Sequence, residues 1–335
     1  MPRAAPNRNE ELFYKMVSLI LLIVGFALLV WGADKFVAGA SALARRLGVS
    51  PLLVGLTIVA FGTSAPELAV SVTAAIQGAN EIAVGNVVGS NIFNLLVVAG
   101  LSAVVCPLVM DRTLMRRDWP YSLMAAVVLC AMIAPDLTIS RLEGIILLAL
   151  FAMTLFFQIR AALRGRTGAD DGENEVILRP SIIALYIVLG LACIIAGGQF
   201  AVNGATGIAR MFGLSETLIG LTIVAIGTSL PELVTSLVAA RRGQNEIAMG
   251  NVIGSNIFNI LLILGVSSLI TPIPVLSTSI ADCLVLIGIT VVFYIPARLS
   301  KSKNADEAAG GHLTRPVGAV MVLVYIAYTV YLIMR

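Results

Sequence analysis

The chain has little charge. Asp, Glu, Lys and Arg make up 12% of its 335 residues, and histidine occurs once, at His312. A formal net charge of +3, scattered along the chain, gives no basic surface for nucleic acid. Four cysteines, Cys106, Cys130, Cys193 and Cys283, lie in or beside apolar segments without metal-type spacing and read as small buried hydrophobes. The polar stretches are short, the longest being 161–180 and 297–315, and neither can hold a folded domain. A regulatory domain is therefore expected only from another chain. What the chain does have is apolar surface: 59% hydrophobic residues and a mean hydropathy of +0.98. A chain of this length buries one ordinary core, so that excess excludes a soluble globular protein and points to membrane-spanning helices.

Ten apolar segments can be placed, near 16–37, 52–77, 82–106, 119–134, 143–160, 181–203, 216–240, 247–269, 278–296 and 316–334. The first could be mistaken for a signal peptide, since Ala38-Gly39-Ala40-Ser41-Ala42 follows it, but the repeat described below includes it, so it reads as a transmembrane helix. Basic residues cluster after the odd-numbered segments: Arg45 and Arg46; Arg112, Arg116 and Arg117; Arg160, Arg164, Arg166 and Arg179; Arg241 and Arg242; Arg298, Lys301, Lys303 and Arg315. The loops after even segments carry only Arg141 and Arg210. The positive-inside rule then makes the odd loops cytoplasmic and places both termini outside a cell (inner) membrane, although Arg3, Arg8 and Lys15, beside Glu10 and Glu11, pull mildly the other way.

The chain repeats itself. The segment from Gly55 matches that from Gly220 at a constant offset of 165, and 31 of the 46 positions from Gly55 to Gly100 are identical. Each copy holds five apolar segments. An odd number forces the second copy to enter the membrane from the opposite side, so the expected fold is all-α and integral to the membrane: ten transmembrane helices as two inverted five-helix repeats. The expected divisions are an N-terminal tail (1–15), a first repeat (16–160), a cytoplasmic linker (161–180) and a second repeat (181–335).

One helix in each copy carries Gly-Thr-Ser-x-Pro-Glu, as Gly62–Glu67 and again as Gly227–Glu232. Proline removes a backbone donor and breaks the turn before it, which should free carbonyls such as those of Ala60 and Phe61 and present the Thr63 and Ser64 hydroxyls. Glu67 lies roughly 22 Å into its helix from Leu52, inside a hydrocarbon layer about 30 Å thick. A plainer reading is a helix restart, with Ser64 and Glu67 as a capping box and Pro66 at the first helical position. That accounts for the local geometry but not for a carboxylate kept in hydrocarbon, where an ionisable group usually marks an ion pathway. Glu232 doubles the case.

The next helix carries Gly-Asn-x-x-Gly-Ser-Asn-x-x-Asn, at Gly85–Asn94 and Gly250–Asn259. Its glycines suit close helix packing. Ser90 and Asn94 share one face, as do Ser255 and Asn259, and are candidate cation ligands. Asn86 and Asn91, with their repeat partners, divide between polar packing and ligation. Glu67 and Glu232, the Thr63, Ser64, Thr228 and Ser229 hydroxyls, Ser90, Ser255, Asn94 and Asn259 are all oxygen donors, with no His or Cys among them. Hard cations such as Ca²⁺ and Na⁺ take such a set, and two carboxylates match one Ca²⁺ in charge. The same oxygens could be shared among several Na⁺, a competition that is the physical basis of exchange.

These paired motifs resemble the two α-repeats of the cation/calcium exchanger superfamily, particularly its prokaryotic sodium/calcium exchangers, over nearly the whole chain. The resemblance implies that Na⁺ moving down its gradient drives Ca²⁺ out by alternating access. It implies ligands at Thr63, Ser64, Glu67, Ser90 and Asn94 and at Thr228, Ser229, Glu232, Ser255 and Asn259, with the backbone carbonyls of Ala60 and Ala225. Some relatives carry Asp where this chain has Asn259. Two carboxylates rather than three weaken a case for K⁺ co-transport.

A H⁺/Ca²⁺ exchanger is the main alternative, because buried carboxylates can also cycle protons. A passive cation channel is a third reading, and an enzyme is not expected, since no nucleophile–base pair is evident. No cofactor is expected; the ligands are the transported ions Ca²⁺ and Na⁺, the other partner is the lipid bilayer, and a monomer suffices for transport in principle. Asp34 and Lys35 read as a snorkelling or locally paired charge, and Glu81 and Glu246 as carboxylates suited to the starts of their own helices.

Overall fold

A computed structural model describes residues 8–77, 83–164, 178–212, 225–300 and 309–334. Glu81, residues 165–177 of the linker and residues 213–224 around the start of the seventh apolar segment lie outside the described residues, as do Arg3, Arg166, Lys301 and Lys303. The helices are α1 (Arg8–Leu47), α2 (Pro51–Thr63), α3 (Ala65–Gln77), α4 (Ala83–Val105), α5 (Trp119–Ile133), α6 (Arg141–Arg164), α7 (Pro180–Met211), α8 (Ala225–Thr228), α9 (Leu230–Arg241), α10 (Asn245–Ile270), α11 (Thr278–Leu299) and α12 (Arg315–Met334). Helical residues fall in each of the ten apolar segments. Among the described residues, seven helices are long and apolar enough to cross a membrane, and eight if α2 and α3, bent by 48° at their junction, count as one broken span.

The first helix is longer than the sequence suggested. Its apolar run was expected over 16–37, but α1 spans 40 residues, about 60 Å of helix. No proline interrupts it, and its flanks, though more polar, are good helix formers. It ends at Gly48, whose φ of 62° only glycine adopts without strain. Antiparallel to it runs α7, the first helix of the second half. Gly25 sits on Gly197 and Ala201, Gly32 on Gly190 and Ile194, and Gly39 on Tyr186 and Ile187. These glycines recur every seven residues, the spacing of a left-handed seam, and a Cβ on Gly32 would lie 2.7 Å from Gly190 O. The two backbones therefore touch.

The fold is helical but not purely so. Two short antiparallel ladders tie loops together: β1 (Leu108–Asp111) pairs with β4 (Ala309–Leu313), and β2 (Thr138–Ile139) with β3 (Ile273–Pro274). The end of the long polar stretch at 297–315 is thus ordered, with His312 opposite Val109. Below the first ladder, Trp119 is 1% exposed and its Nε1 donates to Thr290 O at 3.1 Å. Beside it Asp118, fully buried, receives Arg117 Nε at 2.9 Å and Nη2 at 3.1 Å, and Gln158 Nε2 at 3.4 Å. All four cysteines are free.

At the centre lie α4 and α10. Residues 247–257 of α10 are all buried. Both helices contain one wide turn, over Asn94–Val98 in α4 and Phe258–Ile263 in α10. Such turns slip the hydrogen-bond register by a residue and re-aim the side chains beside them, often at functional sites. Nothing in the hydrophobic pattern announced them.

Candidate functional site

The two broken helices meet against α4 and α10. In the first, the break falls at Ser64, whose φ and ψ are −82° and 4°. The expected freeing of the Ala60 carbonyl does not occur, because Ala60 O accepts from Ser64 N at 3.0 Å. The donor missing at Pro66 is four residues on from Gly62, so Gly62 O is the carbonyl that loses its helical partner. The Thr63 hydroxyl also approaches Ala60 O, at 3.3 Å. In the second copy the turn is tighter, with Ser229 N bonded to Ile226 O at 3.1 Å. Ala225 opens α8 and Thr228 ends it, half-buried.

The capping-box reading fails for the serines. Ser229 makes no side-chain cap bond, and the Ser64 hydroxyl turns away from its own helix. Ser64 Oγ donates across the molecule to Glu232 Oε1 at 2.9 Å. Its repeat partner does the reciprocal: Ser229 Oγ lies 3.5 Å from Glu67 Oε1 and 3.4 Å from Ser90 Oγ. Each half thus contacts the other half's carboxylate. The Ser255 and Thr63 hydroxyls also face Glu232.

Glu67 is 1% exposed and Glu232 0%, and they are close enough for their charges to repel. Each has one oxygen, Oε2, buried without a hydrogen-bond partner among the described residues, and the same holds for Asn94 Oδ1 and Asn259 Oδ1. A buried acceptor without a donor is costly, and an unpaired buried carboxylate more so. Two matched pairs of such oxygens at one place are what a hard cation would satisfy. Among the described residues no group of three or more His, Cys, Asp and Glu side chains exists, so the other donors here are neutral oxygens.

Between α4 and α10, Asn91 and Asn256 close a two-membered ring through each other's backbone carbonyls, and each holds one further asparagine. Asn91 Nδ2 donates to Asn256 O at 3.1 Å and Asn256 Nδ2 to Asn91 O at 3.3 Å. Asn259 Nδ2 donates to Asn91 Oδ1 at 3.0 Å and Asn94 Nδ2 to Asn256 Oδ1 at 3.2 Å.

The two halves differ in how tightly they close over this centre. Beside Glu232, Asn251 Nδ2 donates to Glu232 O at 3.3 Å and to Ser236 Oγ at 3.0 Å, while Thr63 Oγ1 lies 2.9 Å from Asn251 Oδ1. The repeat equivalents, Asn86 Nδ2 and Ser71 Oγ, have no partner among the described residues. Gly250 and Gly254 press on α2: a Cβ on Gly254 would lie 2.7 Å from both Ala60 Cβ and Leu56 O. Gly85 is exposed and Gly89 half-buried, and among the described residues a Cβ on either meets nothing within 4 Å. The centre is therefore closed on the face bearing Arg241 and Arg242, where α10 packs against α2.

Two charges outside the centre behave differently from their sequence reading. Glu246 does not serve only its own helix: its Oε2 accepts from Leu52 N at 3.0 Å and so caps the start of α2 on the closed face. Asp34 pairs with Arg242, 208 residues away, as well as lying 3.6 Å from Lys35 Nζ. Lys35 rests over the Trp31 and Tyr186 rings.

The family model described as "Sodium/calcium exchanger protein" matches the chain twice, over residues 17–160 and 182–334. The sodium/calcium exchanger MaX1 of Methanosarcina acetivorans is 34% identical over 94% of this chain and 98% of its own length. The inner membrane protein YrbG of Escherichia coli is 41% identical over 77% of this chain and 81% of its own. Among solved structures, that of the sodium/calcium exchanger from Methanococcus jannaschii superposes with a TM-score of 0.80 at 31% identity, covering 94% of this chain and 98% of that one.

Proposed function

The chain belongs to the sodium/calcium exchanger protein family, a family of membrane transporters, and from that premise we propose that it is an antiporter exchanging Na⁺ for Ca²⁺ by alternating access, with Na⁺ entry driving Ca²⁺ extrusion. The observation that carries this reading is the reciprocal pair Ser64–Glu232 and Ser229–Glu67, enclosed with four partnerless oxygens of Glu67, Glu232, Asn94 and Asn259. Two carboxylates balance one Ca²⁺. The surrounding neutral oxygens of Thr63, Ser64, Ser90, Thr228, Ser229 and Ser255, with the carbonyls of Ala60 and Ala225, complete a set large enough for a 6–8-fold shell or for several Na⁺.

The architecture proposed is ten spans in two inverted halves, divided near 160 and 181. The antiparallel run of α1 and α7 supports it, as do the two ladders, one joining the loops after the third and ninth segments and the other those after the fourth and eighth. On the positive-inside rule the arginine-rich face is cytoplasmic, both termini are external and the membrane is the cell's inner one. The packing of Gly250 and Gly254 on α2 supports a carrier state shut toward the cytoplasm. In the reverse state the contact at Gly250 and Gly254 opens.

The test is uptake of radioactive Ca²⁺ into everted vesicles loaded with Na⁺ or choline, with and without a pH gradient. Uptake is expected to require the Na⁺ gradient, and Glu67→Gln or Glu232→Gln should each abolish it. Uptake that follows the pH gradient and ignores Na⁺ would establish H⁺/Ca²⁺ exchange instead, and normal transport by both variants would remove the site.

A further inference from the structure

We infer that Asn91 and Asn256 are positioning residues that force the Asn94 and Asn259 side chains to present oxygen, not nitrogen, to the transported cation; the inference rests on the exchanger reading above.

An amide side chain is an ambiguous ligand. One end accepts and the other donates, and only the accepting end binds a metal ion. The ring settles the ambiguity from fixed points. A backbone carbonyl can only accept, so the atom that Asn91 directs at Asn256 O must be its NH₂ group. Its Oδ1 is then the atom facing Asn259, and because that oxygen only accepts, Asn259 must offer its own NH₂. The remaining atom of Asn259 is Oδ1, buried and without a partner among the described residues. The same sequence runs in the other half from Asn91 O through Asn256 to Asn94. All four side chains are between 0% and 2% exposed, so water does not compete for these bonds.

Without the ring the amides would turn. Glu67 and Glu232 each hold a partnerless carboxylate oxygen, and a charge-assisted bond from an asparagine NH₂ to such an oxygen is stronger than a neutral one. An unheld Asn94 or Asn259 would donate to the carboxylates, occupying the oxygens the cation needs and turning its hydrogens toward the ion. Asn91 and Asn256 prevent that. The offset of 165 relates the members of the ring, so it maps onto itself when the halves exchange roles and need not break when access alternates.

The experiment is a double-mutant cycle read as Ca²⁺ binding to the detergent-solubilised full chain by titration calorimetry. Asn256→Leu removes both bonds made by that amide. It should raise the Kd for Ca²⁺ about 10-fold or more, the range for groups that orient metal ligands. If Asn256 acts through Asn94, then Asn256→Leu made on top of Asn94→Ala should weaken binding little beyond Asn94→Ala alone. Multiplying effects would show that Asn256 supports only the helix pair and would overturn the inference. Should Asn256→Leu fail to yield monodisperse protein, Asn256→Ser, with the mirror cycle of Asn91→Ser and Asn259→Ala, reads the same coupling. A wild-type chain that binds no Ca²⁺ would overturn the exchanger reading and this inference together, whereas a binding wild type with a multiplicative cycle overturns this one alone.

Discussion

Gly254 and Gly89 occupy the same position in the two copies, and adding one methyl group to each should push the protein in opposite directions. A Cβ on Gly254 would lie 2.7 Å from Ala60 Cβ and Leu56 O. Carbon atoms pack comfortably at about 3.5–4.0 Å, so α2 and α10 must part by roughly 1 Å to admit it. Overpacking of this size costs about 1–3 kcal/mol. The better helix propensity of alanine applies equally to both access states and cancels between them. The penalty falls only on the state in which the arginine-rich face is closed. A shift of about 1–3 kcal/mol changes the ratio of the two states by about 5- to 160-fold.

Hydrogen–deuterium exchange of the ion-free protein reads that shift directly. In Gly254→Ala, exchange over residues 51–60 and 245–255 should rise as the gap between α2 and α10 opens. In oriented proteoliposomes the apparent Ca²⁺ affinity from the opposite face should weaken by the population lost. Gly89 stands at the offset of 165 from Gly254, so if the halves exchange roles the methyl group of Gly89→Ala burdens the opposite state, and exchange over those segments should match wild type or fall. Gly254→Ala with wild-type exchange would refute the claim that this contact holds the face closed. Two variants shifting in the same direction would refute the correspondence of the halves.

Two further outcomes follow from single contacts. Arg117→Ala leaves the fully buried Asp118 with only Gln158 and should cost about 3 kcal/mol, seen as a lower melting temperature in detergent; Asp118→Asn added to it should recover much of the loss. Glu246→Ala removes the cap on Leu52 N, a loss of about 0.5–2 kcal/mol, and should raise exchange at residues 51–55 while leaving residues 141–160 unchanged.

Much of the fold was legible because the bilayer punishes polar backbone and charged side chains so uniformly. Apolar runs marked where helices would fall, and a carboxylate inside one of them, repeated at a fixed offset, marked the centre. The serines, threonines and asparagines around it were legible as oxygen donors from their type alone. Their partners were not. Ser64 could equally have capped its own helix, and only the crossing of the two breaks decides that its hydroxyl serves Glu232. The ring that orients Asn94 and Asn259 needs the wide turns beginning at or just before those residues, and a wide turn leaves no period in a run of Leu, Ile and Val. The sequence alone therefore divides Asn91 and Asn256 between packing and ligation. Their bonds place them behind the ligand candidates. A missed signal was available in the glycines at 25, 32 and 39 and at 190, 197 and 204, which repeat at the same offset and form the seam between α1 and α7.

Which face is closed could not be read from the repeat at all, and the reason is physical. Two copies that share most of their contact residues encode two packings of nearly equal energy, one the mirror of the other. The choice falls to the residues that break the symmetry. Asp34 binds Arg242 on the closed face, whereas their equivalents at the offset of 165 are Gln199 and Gln77, neutral side chains. In this state Gln199 Nε2 donates within its own helix, to Asn203 Oδ1 at 3.0 Å. The Asp34–Arg242 pair is 38% exposed at both ends, so it contributes at most about 1 kcal/mol and weakens with salt. That is too little to lock a carrier and enough to bias one whose two states are otherwise balanced. The asymmetry of the molecule is thus a small correction to a symmetric design, which is the condition under which a bound cation can still turn it over.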